Sequence, residues 1–507
     1  MERRTFLKNI AGCGVISLAG PAATLFARES AAPACFGLHP FIESHPEAVF
    51  IRRTNVASKN DSEGKRRESF ELAKQIFGLR DGSGIPLTHK FAIKPNLTSA
   101  VGTGTTYAID TDPSVVEGFI EGLKQVGIGA ERIYARDGLQ VNQPGIGYSE
   151  MAQRTGAHYS DSDSRTPIVK ECLNGVVFKR TKFLGPFNYD DSYLINISKF
   201  KTHSMGLTLC VKNLQGTNAP PYIRFCGGLQ NVIAQDFQAD AQLHVDDLQA
   251  RHMQAGFPRW DTEKAGWMEM WAQRTIDSYS LIKPSVGLNI IEGVYGQNGN
   301  GFHRGPGPSL TPEVFMTNML IFGKDAFRVD IIGHWLGGHE PGNFGLFHIG
   351  KERGVSSALN PRNIPIYVWE DGGPKLTPLD RLTRTPLKSP YLARQGEPEY
   401  HMCDEPFSYP AETAAASMTG AETPGFQVLS LHGSKLVIEY NLPSEGYALL
   451  DLYNDAGDRI AELAHGRMSR GLHVAEWSTR RAAAGIYYCR LRTGSYDHAE
   501  RIARVYY

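Results

Sequence analysis

The sequence predicts an α/β protein with a mostly parallel sheet flanked by helices, a helical insertion and a C-terminal β-sandwich. Three observations predict this. Strand-like and helix-like segments alternate over residues 48–370, residues 222–282 are polar with helical spacing, and short strand patterns with turn signals fill residues 427–507. A chain of 507 residues has room for two or three domains.

The alternation is clearest near the start of the α/β domain. Residues 90–94 form a strand pattern that ends at Pro95, and residues 115–123 have the spacing of an amphipathic helix that starts after Asp112. Residues 132–137 form the next strand pattern. A strand, a helix and a second strand in this order predict a βαβ unit, whose two strands run parallel.

The last part of the chain differs in composition. Pro, Ser, Thr and Ala dominate residues 371–425, which predicts an excursion from the domain followed by a linker. Residues 427–507 resemble two modules, the immunoglobulin-like domain of flagellar hook-capping proteins and the C-terminal sorting domain of type IX secretion cargo. The resemblance implies a β-sandwich, and it leaves open whether the module sorts the protein to the surface or is a plain accessory domain.

Residues 1–34 look like a twin-arginine signal peptide. Two arginines, Arg3 and Arg4, precede a Phe-Leu-Lys sequence, and a short apolar run broken by glycines follows. Cleavage is expected after Ala27 or Ala34. This pattern predicts an exported protein, periplasmic or at the cell surface, with the export machinery as a partner. The remaining chain has no apolar run long enough to span a bilayer.

Composition excludes several classes of protein. Lys+Arg and Asp+Glu both number 53 and no basic block stands out, which argues against nucleic-acid binding. None of the seven cysteines forms a C-x-x-C pair, which argues against an iron–sulfur cluster or a zinc ribbon. Cys210 and Cys226 are the first pair to test for a disulfide. The cofactor stays undetermined; a divalent metal held by Asp137, His203 and Glu292 remains open.

Four motifs in the same order resemble the family called domain of unknown function 362, over roughly residues 48–370. They are K-P-N-L at residues 94–97, K-x-K-T-H…K-N-L-x-G at 199–216, I-E-G at 291–293 and the segment 322–330. Many members carry a ferredoxin-like cluster domain, but this chain lacks the cysteines, so that association does not carry over. The family implies no settled substrate.

The second motif places titratable groups at alternate positions. Lys199, Lys201 and His203 share one face of an extended segment, where two cations would lower the pKa of the imidazole. A neutral histidine suits a base or a metal ligand. We therefore predict His203 and Lys201 as catalytic residues, together with Glu292, which replaces the aspartate that members often carry.

The remaining motif residues predict an anion site. Candidate substrate-binding residues are Lys94, Asn96, Lys199, Lys212 and Asn213. The amino end of the helix that carries Lys212 would contribute to the pocket, and Asn213 would either join it or cap that helix. For two acidic residues nearby we expect structural roles, Asp325 as a helix cap and Asp330 as support for a histidine.

Two classes of function fit these residues, and the sequence does not decide whether the protein is an enzyme. The first is an enzyme that acts on a small anionic substrate through a Lys/His pocket. The alternative is a non-catalytic, surface-displayed protein that binds an anion or a metal, or a redox accessory protein without its own iron–sulfur cluster. The reaction class and the oligomeric state stay open.

Overall fold

The computed structural model describes residues 34–81, 84–97, 108–138, 146–159, 167–187, 189–203, 205–219, 222, 236–258, 265–299, 313–388, 404–409, 425–432, 435–454, 457–478, 485–494 and 496–505. The predicted signal peptide therefore lies outside the described residues, apart from Ala34. None of the helices within these ranges has the length and apolar character needed to cross a membrane.

The strands of the α/β region are β1 (Ala34–Leu38), β2 (Val49–Arg53), β3 (Phe77–Asp81), β4 (Ile85–Pro86), β5 (Lys90–Pro95), β6 (Ile133–Ala135), β7 (His158–Tyr159), β8 (Ile168–Glu171), β9 (Arg180–Phe183), β10 (Ser192–His203), β11 (Gly206–Thr208), β12 (Val286–Asn298), β13 (Glu313–Gly323), β14 (Ile366–Glu370) and β15 (Gly373–Leu376). The helices are α1 (Pro40–Ser44), α2 (Ser62–Ile76), α3 (Pro113–Gln125), α4 (Tyr148–Thr155), α5 (Cys210–Asn213), α6 (Ala241–Gln254), α7 (Ala265–Ile282), α8 (Ala326–Leu336) and α9 (Gly345–Glu352).

The main sheet has the order β15-β14-β2-β13-β12-β10-β5-β6-β7, and β11 pairs with β10. The run from β12 through β10, β5 and β6 to β7 is parallel, and β14 is parallel to β2. Among these strands, only β13, β15 and β11 run in the opposite direction, antiparallel to the strands beside them. The predicted α/β fold with a mostly parallel sheet is confirmed.

Helices cover both faces of this sheet. One hydrophobic cluster joins the sheet to α5, α7, α8 and α9, and the other joins it to α2, α3 and α4. Along β10, Leu194 and Phe200 belong to the first cluster, whereas Ile195 and Ile197 belong to the second. A strand that is buried on both faces in this way reads as a continuous apolar run, as β10 does.

Local sequence signals explain where several helices begin. Asp112 accepts a hydrogen bond from the backbone N–H of Ser114 and thereby caps α3, whose first residue is Pro113. The sequence predicted that α3 starts after Asp112, and the structure agrees. Helices α6 and α7 form the expected helical insertion within residues 222–282, and they pack against each other. The segment expected to leave the domain after residue 371 begins with β15, which pairs with β14.

The C-terminal region contains two antiparallel sheets. Its strands are β16 (Gly425–His432), β17 (Lys435–Leu442), β18 (Gly446–Asn454), β19 (Arg459–Met468), β20 (Gly471–Ser478), β21 (Gly485–Thr493) and β22 (Tyr496–Val505), in the orders β16-β17-β20 and β19-β18-β21-β22. Buried residues of both sheets, such as Leu436 and Leu450, form one hydrophobic cluster. Asn454 and Asp458 form the predicted turn between β18 and β19.

Candidate functional site

The predicted site residues lie in or beside β5, β10 and β12, toward the carboxyl ends of β5 and β10, a region that we call the carboxyl edge. Lys94 is near the end of β5, Lys201 and His203 are near the end of β10, and Glu292 is in β12. Because these strands are adjacent and parallel, the sheet brings together residues that are far apart in sequence. Lys94, Lys201 and Glu292 have 0% exposure, so the charges at this edge are inside the protein.

Lys94 uses its ammonium group to hold the edge together. Its Nζ donates to Asp137 Oδ2 at 2.6 Å, to the Pro95 carbonyl at 2.6 Å and to Asn213 Oδ1 at 3.0 Å. An ammonium has three N–H donors, so these acceptors use all of them. Burial lowers the pKa of Lys94, and Asp137 opposes that shift. Asp137 also accepts from the backbone N–H of Leu97, which fixes the chain after β5.

Asn213 and Gly216 explain the spacing of the K-N-L-x-G motif. Asn213 donates to Asn196 Oδ1 at 2.8 Å and to the Lys94 carbonyl at 3.2 Å, and it also accepts from Asn96 Nδ2 at 3.1 Å. Its side chain therefore ties two strands together and does not cap the helix. A Cβ on Gly216 would lie 2.4 Å from Lys94 Cε, so only glycine allows this approach.

Lys199 belongs to a second buried network, on the other face of β10. Its Nζ donates to Glu292 Oε2 at 2.6 Å and lies 3.3 Å from the centre of the Tyr295 ring. Glu292 also accepts from the backbone N–H groups of Asp112 and Val294. Burial lowers the pKa of Lys199, and Glu292 opposes the shift. The positive charge of Lys199 is thus paired within the protein.

Asp112 links this second network to α2. Lys65 forms an ion pair with its carboxylate, and the Tyr295 hydroxyl donates to Asp112 Oδ2 at 2.7 Å. Burial favours the neutral carboxyl, but Lys65 and Tyr295 outweigh it and lower the pKa of Asp112. Asp112 therefore caps α3 and at the same time balances a buried lysine.

His203 has the low pKa that the sequence predicts. Burial is the main cause, and the charges of Lys212 and Lys201 add to it, so the pKa lies well below its ordinary value. The second cation is Lys212 instead of the expected Lys199, because Lys199 is held by Glu292. The backbone N–H of Met205 donates to His203 Nδ1 at 3.2 Å, which places the proton of the neutral ring on Nε2.

Lys212 differs from the other lysines at the carboxyl edge. It is only 9% exposed, and within the described part of the chain its ammonium has no carboxylate or hydrogen-bond partner. Its charge acts on Lys94 and on His203. A buried cation without a partner is energetically costly, so this group marks the position where a negative charge is missing.

The amino end of α5 is not available to a ligand, contrary to the expectation from the sequence. Asp330 accepts hydrogen bonds from the backbone N–H groups of Cys210 and Val211, at 2.7 and 2.8 Å. Asp330 thus caps α5 and does not support a histidine; burial raises its pKa to about 8. Asp325 caps α8 through the N–H of Arg328, as predicted.

The three residues considered for a metal do not meet. Asp137 pairs with Lys94 and Glu292 pairs with Lys199, so each carboxylate balances a lysine. Within the described ranges, no group of three His, Cys, Asp or Glu side chains is arranged to hold a metal ion. Cys210 is a free, buried thiol, so the disulfide with Cys226 is not formed. Cys226 itself lies outside the described residues.

Sequence reasoning missed the partners of the predicted lysines. Asp137 was considered only as a metal ligand, and Lys65, Asp112, Asn196 and Tyr295 were not considered as site residues. Two signals pointed to them: Asp137 is the last residue of a predicted strand, and Asn196 interrupts the apolar run of β10. A polar residue inside a buried strand requires a hydrogen-bond partner, and here that partner is Asn213.

The site is thus a buried Lys/Asn/Asp network at the carboxyl edge of a mostly parallel sheet, with a neutral histidine and an unpaired lysine beside it. Residues 91–334, just under half of the chain, match the family described as Domain of unknown function (DUF362). The matched region contains all the predicted site residues and supports the resemblance drawn from the motifs. No curated protein matches the chain.

Proposed function

We propose that the carboxyl edge binds a small anionic substrate and that the protein is an enzyme acting on it. The observation that carries this proposal is Lys212, a residue that is only 9% exposed and whose ammonium is unpaired within the described residues. An anionic ligand would supply the missing negative charge. Ligands bind at the carboxyl ends of strands in open α/β sheets, and Lys212 lies there.

The four predicted lysines divide into two pairs. Lys94 and Lys199 form ion pairs with Asp137 and Glu292, so they shape the edge and contribute little net charge to it. Lys201 and Lys212 are the cations that act on His203. In this proposal the second pair attracts the anion, while Asn213, which also accepts from Asn96, holds Lys94 in place.

His203 supplies a neutral imidazole next to the proposed anion. With Nδ1 accepting from Met205, the proton of the neutral ring is on Nε2. A neutral histidine of this kind can polarise a substrate oxygen, and its low pKa keeps it neutral across the physiological range. Proton transfer by His203 would require the other tautomer, in which the Met205 hydrogen bond is lost.

Calorimetric titration of the whole protein with inorganic phosphate and with small carboxylates tests the anion site. We expect binding by the wild type, and Lys212→Met should weaken it about 30-fold or more because a buried charged contact is lost. Lys212→Arg should keep most of the affinity. Lys283→Met, which removes an exposed lysine, is the control and should bind normally.

Two results would overturn the anion proposal: a wild type that binds none of these anions, or Lys212→Met binding them as tightly as the wild type. Lys212→Met should also unfold at the same or a higher temperature, because it removes a buried unpaired charge. A large loss of stability would show that Lys212 has a structural role instead.

Turnover separates the enzyme from the non-catalytic alternative. Mass spectrometry of a panel of phosphate esters and carboxylic acids incubated with the protein should show conversion of at least one. His203→Gln should bind that compound within a few-fold of the wild type while its turnover falls about 100-fold. Anion binding without any conversion across the panel would favour a surface-displayed binding protein.

We further propose that the protein is exported and that its C-terminal region is an immunoglobulin-like β-sandwich. The motivation is the twin-arginine pattern at residues 3–8, together with two antiparallel sheets that share one hydrophobic cluster. A sorting role for the sandwich rests on its resemblance to type IX secretion cargo. Cell fractionation of a variant without the two arginines tests the export.

A further inference from the structure

Three polar residues lie in a row across the ends of three neighbouring strands. Lys201 of β10 pairs with Thr208 of β11 on one side and with Gln297 of β12 on the other. Side chains at paired positions project from the same face of a sheet, with Cβ atoms about 5 Å apart. The row is directly next to His203, which pairs with Gly206.

Two members of this row have unused hydrogen-bonding atoms. Thr208 and Gln297 both have 0% exposure, yet Thr208 Oγ1 and Gln297 Nε2 have no hydrogen-bond partner in the described part of the chain. Gln297 Oε1 accepts from the backbone N–H of Ala108 at 2.8 Å, which fixes the orientation of the amide. The NH2 group is therefore the end left without an acceptor.

Burying polar atoms without partners opposes folding, and buried polar groups in proteins are nearly always hydrogen-bonded. Two such atoms on either side of one lysine thus point to a missing group. The amide nitrogen can only donate, the threonine hydroxyl can donate, and the lysine is a cation. Both unused groups can donate a hydrogen bond, so the missing group is an acceptor, and the positive charge of Lys201 beside them favours an anionic one.

We propose that Lys201, Thr208 and Gln297 form an oxyanion subsite, which binds the carboxylate or phosphate group of the ligand. The inference rests on the proposed function and deepens it, because it names the part of the ligand that is recognised. The ammonium of Lys201 supplies the charge. The hydroxyl of Thr208 and the amide of Gln297 donate one hydrogen bond each, and the remainder of the ligand extends toward His203 and Lys212.

Thr208→Val tests the subsite because it removes the hydroxyl without changing the shape of the side chain. Without ligand, the variant should unfold at the same or a higher temperature than the wild type, since it removes a buried unpaired polar atom. Its affinity for the bound anion should be about tenfold weaker, the loss expected for a hydrogen bond to a charged group. Thr208→Ser keeps the hydroxyl and should restore affinity.

Thr181→Val is the matched control. Thr181 is also fully buried, but its hydroxyl accepts from Asn218 Nδ2 at 3.0 Å. Removing it should lower the unfolding temperature and leave anion affinity unchanged. The opposite signs of the two threonine variants separate a binding role from a structural one, because a structural hydroxyl would lower stability in both.

Gln297→Glu tests the amide. Glutamate keeps an acceptor for the Ala108 N–H but replaces the donor with a negative charge beside Lys201. Anion binding should fall about 100-fold or more, through loss of the donor and repulsion of the ligand. Separate titrations with inorganic phosphate and with acetate show which oxyanion the subsite prefers.

The two proposals fail in different ways. If the wild type binds no anion, including phosphate and acetate, the proposed function is wrong, and the proposed subsite is wrong with it. If the wild type binds an anion through Lys212 but Thr208→Val and Gln297→Glu bind it normally, only the subsite is overturned. That result would mean that the two atoms are satisfied by solvent.

Discussion

At the scale of single residues, the buried ion pair of Lys199 and Glu292 predicts how strongly stability depends on balanced charges inside the protein. Both side chains have 0% exposure. Glu292→Gln should destabilise the protein by about 3 kcal/mol or more, because it leaves the ammonium of Lys199 buried and without a counter-charge. Urea unfolding measures this loss, and the double variant Lys199→Met/Glu292→Leu should recover much of it.

The control for this prediction is the exposed pair formed by Lys74 and Glu71 on α2. Glu71→Gln should change the free energy of unfolding by no more than about 0.5 kcal/mol, since exposed ion pairs contribute little. If Glu292→Gln costs equally little, the Lys199 ammonium does not carry its charge in the folded state.

The sequence motifs singled out buried residues at the carboxyl edge but did not indicate their partners. Lys94, Lys201, His203 and Lys212 were predicted from two short motifs, and the structure brings them to one edge of the sheet. The acids that neutralise Lys94 and Lys199 are 43 and 93 positions away from them. Pairing over such distances depends on strand order, which a local pattern does not contain. The functional roles of these residues stay predictions.

At the scale of elements, the direction and order of the strands were harder to predict than whether a segment is a helix or a strand. The helices α3, α6 and α7 and the strands β5 and β6 lie where hydrophobic spacing and start signals placed them. The antiparallel β13 and the edge strand β15 were not anticipated. The order and direction of strands depend on how each connection crosses the sheet, and spacing within a strand says nothing about this.

Helix α6 of the insertion is held by a histidine between two carboxylates. His252 Nδ1 lies 2.8 Å from Glu269 of α7, and its Nε2 lies 2.6 Å from Glu352 of α9. Burial alone would lower the pKa of His252, but the two glutamates outweigh it, so the pKa is raised. Arg251 pairs with Glu352, and His348 of α9 is the other titratable group that faces the ring.

This arrangement predicts a pH-dependent stability. A histidine whose pKa is raised by folding stabilises the folded state fully below its ordinary pKa of about 6.5, and the contribution is lost as the pH rises through the raised value. The unfolding temperature of the wild type should therefore fall more steeply than that of His252→Gln as the pH rises above about 6.5. Equal slopes in thermal unfolding would contradict the prediction.

At the scale of the whole molecule, the chain combines separately packed parts. Among the described residues, the C-terminal hydrophobic cluster consists only of residues from Phe426 onward, and the three clusters of the α/β region contain none of them. The sequence indicated this division, because residues 371–425 are rich in Pro, Ser, Thr and Ala and strand patterns begin at residue 427.

The export proposal gives the last prediction. Twin-arginine carriers move folded proteins, and a charge-preserving change of both arginines usually blocks recognition. Arg3→Lys/Arg4→Lys should therefore leave folded protein inside the cell, with its anion affinity unchanged, whereas Arg28→Lys, outside the motif, should be exported normally. Export of the double arginine variant at the wild-type level, measured by cell fractionation, would contradict this.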